Sequence, residues 1–134
     1  MLNQAKQWLD FAERDRRAAV ELATHDDLLG VAAFHCQQAI EKAMKAILEL
    51  HGKPIPRVHD LVTLNEQVRP FLTTPIDETE LGLATDVYLT ARYPAADAPG
   101  TDASPTRARV DRLIATTARI CEAVTAELNR ETDQ

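Results

Sequence analysis

The stretch "AAFHCQQAIEKAMKAILELHGKPIP" constrains the fold more than any other part of the chain. From about Leu28 to Leu50 the apolar residues Cys36, Ile40, Ala43, Ile47 and Leu50 recur in alternating steps of four and three, the period of one helix face. Ala33, Met44 and Leu48 widen that stripe into an arc too broad for a helix with one side against a core. Such a helix has to be packed on several sides, at the centre of a bundle or in a dimer interface. Its end is marked by Gly52 just past the last apolar residue and Pro54 two residues beyond.

The remaining segments supply helices to surround it. A first helix is predicted from about Asn3, a plausible N-cap, to Ala23, with Ala5, Trp8, Ala12, Ala19 and Leu22 on one stripe. Asp15 stands on that stripe where the spacing asks for an apolar residue: either it sits at the wet edge, or it is a partly buried carboxylate held by a cation from another helix. Asp26 or Asp27 can cap the second helix. A short third helix starts at His59 or Asp60 and runs to about Val68, where Pro70 stops it. A fourth, capped by Thr74 or Asp77, reaches about Arg92, and "YPAADAPGTDASP" reads as a loop. Ser104 and Pro105 suit the N-cap and first position of a fifth helix, to about Arg130, with Val110, Ile114, Thr117, Cys121, Val124 and Leu128 on its core face. The last residues, "RETDQ", are expected to fray.

Aromatics make up only 4% of the chain, while alanine and straight-chain residues abound, which favours helix over sheet. With 134 residues and no solenoid-type repeat, the expectation is one all-α domain spanning 1–134, an antiparallel up-and-down bundle of four to five helices. The net charge of −6 repels phosphate backbones as a whole, so a nucleic-acid contact would need a local positive patch. Cys36 and Cys121 lie on separate apolar faces, with no secretory, membrane-spanning or lipidation signal in view, so the expected compartment is a reducing cytoplasm.

None of the Gly-rich phosphate loops, zinc-protease helices or nucleophile elbows is present. No cofactor is implied, and the histidines lack the spacing of a helical metal site. What chemistry remains is gathered on the second helix. His35, Gln38, Lys42, Lys45 and Glu49 form a stripe opposite the apolar arc, with Glu41 on its border and Glu41 to Lys45 a favourable ion pair. The plain reading is a solvated outer face. Gln37 falls among apolar residues, where a buried amide must find partners, either within the chain or on a partner. Arg109, Arg112 and Arg119 lie off the apolar stripe of the last helix and could touch RNA, but interspersed glutamates and the lack of a stacking aromatic favour a solvated face.

"FAERDRRAAVEL", "AAFHCQQAIEKAMKAILELHGKPIPRVHDLVTL" and "YLTARYP" together resemble the HEPN domain family, named for nucleotide binding in higher eukaryotes and prokaryotes. The resemblance implies a bundle of four to five helices, a homodimer, and association with a minimal nucleotidyltransferase, in some cases as a toxin–antitoxin pair. The family's toxic members are metal-independent ribonucleases. They pair an arginine, for charge on phosphorus, with a histidine that follows after four to six intervening residues, as general acid and base. Here the matching arginine is Arg92, and positions 97 to 99 hold Asp97, Ala98 and Pro99. The sequence departs from the nuclease pattern. What the resemblance leaves is a non-catalytic module that binds a nucleotide, an RNA or a nucleotidyltransferase, with Asp15, Gln37, Gln38, Lys42, His59, Arg92 and Tyr93 as candidate contacts. Asp15 is expected to pair with Lys42, His59 or Arg92, and an Asp15–Arg92 bridge would explain both without a ligand. Two rivals stand beside it: a ribonuclease with an atypical base such as His35 or His59, and a purely structural dimer.

Overall fold

The computed structural model describes residues 2–92 and 105–132, with side chains for all of these except 87–92. Five α-helices follow one another: α1 (Leu2–Leu22), α2 (Leu29–Leu50), α3 (Leu61–Val68), α4 (Glu78–Arg92) and α5 (Arg107–Thr132). Single 3-10 turns at Asp26–Leu28 and Arg69–Phe71 punctuate them, and there is no strand among the described residues. The all-α bundle is as expected, and α2 is its axis, packed against α1, α5, α4 and α3.

The width of the apolar arc explains that position. Cys36, Ile40, Ala43, Met44 and Ile47 are completely buried and Leu48 nearly so, and each large apolar side chain taken from water contributes about 1.5–3 kcal/mol. On α1 the fully buried residues are only Ala5, Ala12 and Ala19, one every second turn. Small side chains allow the α1 and α2 axes to approach closely. The larger apolar side chains of α1, Leu2, Trp8, Leu9 and Leu22, pack against the core while only partly buried, and polar ties add to them.

Ends of helices follow local chemistry. Gly52 adopts a φ of 64°, and Lys53 N donates to Leu48 O while Gly52 N donates to Glu49 O, the paired bonds that close a helix on a left-handed glycine. Asp60 caps α3 by accepting from Val62 N at 3.0 Å and Thr63 Oγ1 at 2.8 Å. Asp77 accepts from Thr79 N at 2.8 Å at the start of α4.

Three boundary expectations are corrected. Helix α1 is already formed at Leu2, so Asn3 lies inside it. Helix α2 begins at Leu29 with no side-chain cap, because Asp26 and Asp27 are taken up in the preceding 3-10 turn and Asp26 accepts from Arg107 at 2.6 Å. Helix α5 starts at Arg107, where Thr106 Oγ1 accepts from Arg109 N, and Ser104 lies outside the described residues. The core face of α5 is as expected at Val110, Thr117, Cys121, Val124 and Leu128 but wider, with Leu113 buried and Ile114 only partly so. Thr116 and Ile120 join it, since a face of period 3.6 drifts across a strict four-three count.

Candidate functional site

The polar stripe of α2 is not a solvated outer face. Helix α1 covers one half of it and the segment leading into α3 covers the other, leaving Glu41 only 4% exposed and Lys45 9%. A buried charge without a partner costs several kcal/mol, so these residues are paired. Glu41 Oε1 accepts from His59 Nδ1 at 2.6 Å and Glu41 Oε2 lies 3.5 Å from Lys45 Nζ, one turn further along. The Lys45 ammonium stands 5.6 Å from the centre of the Trp8 ring, a cation–π contact from α1.

Gln37 belongs to the same half. Completely buried, it donates from Nε2 to the carbonyl of His59 at 3.2 Å and accepts at Oε1 from Gln38 Nε2 at 2.8 Å. The backbone and the side chain of His59 are therefore both fastened to α2. That fixes the His59–Asp60 junction from which α3 departs.

One turn towards the N-terminus of α2 lies a second, more open group. Asp15, the acid on the apolar stripe of α1, accepts from His35 Nδ1 at 2.8 Å and from Lys42 Nζ at 2.6 Å, one carboxylate oxygen to each. The Asp15 side chain is 13% exposed, against 28% for His35 and 27% for Lys42, so the acid lies beneath its two partners. The spacing from His35 to Lys42 is two turns, which places both on the face of α2 that meets α1. With Nδ1 donating to the carboxylate, a neutral His35 carries its lone pair on Nε2. That nitrogen makes no hydrogen bond among the described residues, and Lys42 uses a single donor.

The site thus has a half built on buried groups, in which only the His59 ring stands exposed, and a half-open one. Gln37, Glu41, Lys45 and His59 satisfy one another and dock the α2–α3 connection. Asp15, His35 and Lys42 leave an ammonium and an imidazole nitrogen at the surface over a neutralised acid. The ammonium can hold an anionic oxygen, and a carboxylate-oriented imidazole can accept a proton at Nε2.

The sequence matches the HEPN domain over residues 5–128. The chain belongs to the HEPN domain family. Two solved structures are similar to it. TT1696 from Thermus thermophilus superposes with a TM-score of 0.81 over 93% of this chain and 98% of its own, at 24% sequence identity, a likeness of fold. ST0689, an archaeal HEPN homologue, superposes with a TM-score of 0.66 over 92% of this chain and 97% of its own, at 28% identity. No curated protein matches the chain.

Within this HEPN bundle, Asp15, Gln37, Gln38, Lys42 and His59 all lie along the α1–α2 face or its junction with α3. The described partners of Asp15 are Lys42 and His35, while His59 turns to Glu41. Arg92 ends α4 with its side chain outside the described residues, as is the whole of Tyr93, so the expected Asp15–Arg92 bridge falls there too. Sequence reasoning missed His35 as the partner of Asp15. The signal was present, since His35 is one stripe position before Gln38 and two before Lys42. Among the described residues no group of three His, Cys, Asp or Glu side chains is placed to hold a metal, and no helix is long and apolar enough to cross a membrane. Both cysteines are free; burial pushes the Cys36 thiol up to about 11 and the Cys121 thiol up to about 12.

Proposed function

We propose that this HEPN protein is a non-catalytic module that binds the phosphates of a nucleotide through the α1–α2 seam, as the helical partner of a nucleotidyltransferase. One observation carries the reading: Lys42 and His35 stand about a quarter exposed above Asp15, and Lys42 keeps donors beyond the one it gives the acid. A phosphate oxygen arriving there meets the Lys42 ammonium at charge-assisted hydrogen-bonding range, and His35 can add a donor from Nε2 only when its ring is doubly protonated, while the buried carboxylate keeps both side chains in place. The half built on buried groups holds the rim rigid. Homodimerisation through the long helices, action within a toxin–antitoxin type pair and a cytoplasmic setting belong to the same proposal. Two buried thiols left unpaired suit a reducing compartment.

A second reading is favoured by the Asp15–His35 pair, because a carboxylate-oriented imidazole is what a general base needs. Against it, the chain has no histidine at the family's nuclease spacing after Arg92. Isothermal titration with nucleoside mono-, di- and triphosphates tests the first reading. Binding that weakens about tenfold in Lys42→Met supports it. No heat with any nucleotide, or equal binding by Lys42→Met, rejects it.

A further inference from the structure

We propose that the groove between α4 and α5 docks an acidic amphipathic helix of a partner protein. Among the described residues helix α4 packs chiefly on α2 and α3 and meets α5 mainly through Glu80, leaving a groove between the two helices. Two adjoining cavities lie along it. One, of about 130 Å³, is lined by Glu80, Leu83, Ala84, Arg109, Arg112 and Leu113. The other, of about 330 Å³, continues past Glu80 and Arg119 to Asp77. None of these residues belongs to the α1–α2 seam, so the groove is independent of the nucleotide proposal.

The floor is apolar: Leu83 is 38% exposed, and Ala84 and Leu113 lie beside it. The rim is cationic. Arg109, Arg112 and Arg119 project from one strip of α5, with Thr116 between them. Ten residues of helix separate the first from the last, a run of about 15 Å and hence nearly three turns of a docked helix. The acids facing them are already engaged. Glu80 accepts from Arg119 at 3.0 Å and from Thr116 at 3.0 Å and stands 3.9 Å from Arg112. Asp77 is occupied in capping α4. Among the described residues Arg109 has no ion pair, and Arg112 has only the long one.

A local surplus of positive charge on a chain of net charge −6 calls for an acidic occupant. The apolar floor calls for one with an apolar face, and the first cavity is smaller than a usual small-molecule site but suits a leucine-sized anchor. No aromatic residue lines either cavity, which disfavours stacking of nucleic-acid bases. A helix with leucines on one face and glutamates on its flanks meets all three demands.

The test is fluorescence anisotropy of the full chain with a fluorescein-labelled helical peptide of that design, beside a version with lysine in place of every glutamate. The glutamate peptide is expected to bind, the lysine peptide not. The pair Arg109→Glu and Arg112→Glu should weaken binding at least about tenfold, and Arg14→Glu with Arg17→Glu, the same charge change on α1, less than about twofold. The gentler pair Arg109→Gln and Arg112→Gln, checked for a native melting curve, guards against misfolding and should also weaken binding. No binding of the glutamate peptide, equal binding of the lysine peptide, or indifference to the Arg109 and Arg112 changes overturns the proposal. So does tighter binding of a labelled single-stranded RNA at the same arginines, or sedimentation in which Arg109→Glu with Arg112→Glu splits a dimer, since a second copy would then be the occupant.

Discussion

Lys45→Met removes a cation from beside a carboxylate whose side chain is only 5% exposed, and the consequence can be sized. Met keeps most of the lysine stem and its packing against Trp8, so the change is chiefly electrostatic. Stripping one partner from a buried pair costs about 3–5 kcal/mol, since the other charge stays behind in a medium that solvates it poorly. Glu41 keeps His59 at 2.6 Å, and the lost contact is a long one at 3.5 Å, which puts the cost at the low end, about 3 kcal/mol. For a chain of this size that lowers the melting temperature by about 10 °C. Removing both charges in Glu41→Leu with Lys45→Met should recover most of the loss, to within about 1 kcal/mol of the parent, because no orphaned charge remains. Urea titration and thermal melting followed by far-ultraviolet circular dichroism measure all three proteins. A Lys45→Met variant that melts within about 2 °C of the parent, or a double variant worse than the single, would refute the claim that this half of the site is a mutually dependent cluster.

Gln37→Leu leaves the His59 carbonyl without its donor and should cost about 1–2 kcal/mol, with faster tryptic cleavage at Arg57 as the α2–α3 connection loosens. Both thiols should resist iodoacetamide in the native protein at about pH 8 and react once urea unfolds it, because burial holds Cys36 and Cys121 protonated. The same burial makes stability pH-dependent. The folded thiols bind protons more tightly than unfolded ones, so their contribution is intact below the ordinary value of 9.0 and is lost as pH climbs towards about 11 and 12, which alkaline denaturant titrations would register. A single-stranded transcript incubated with the protein in EDTA should remain whole; cleavage abolished by His35→Ala would instead make Asp15–His35 a catalytic pair.

Much of this architecture was legible in the residues, and the failures have physical causes. The apolar arc of α2 announced a central helix, and Gly52 and Asp60 marked helix ends because a left-handed turn and an N-cap each demand a particular side chain. Asp26 misled because its carboxylate is drawn to Arg107, far along the chain, and no local pattern reports that. The polar stripe misled for a related reason. Periodicity separates apolar from polar faces, but cannot say that an alanine-lined α1 comes close enough to cover Glu41 and Lys45. Asp15 was visible as an intruder on an apolar stripe, whereas choosing His35 and Lys42 as its partners needed the register of α1 against α2.

The central claim is that the half-open part of the α1–α2 seam grips phosphate. Heteronuclear NMR of the labelled protein, titrated with a nucleoside triphosphate, reads that surface residue by residue. Saturable shifts confined to the amides and side chains around Asp15, His35 and Lys42 are the expected result. Shifts clustered elsewhere, or none at millimolar nucleotide, would contradict it.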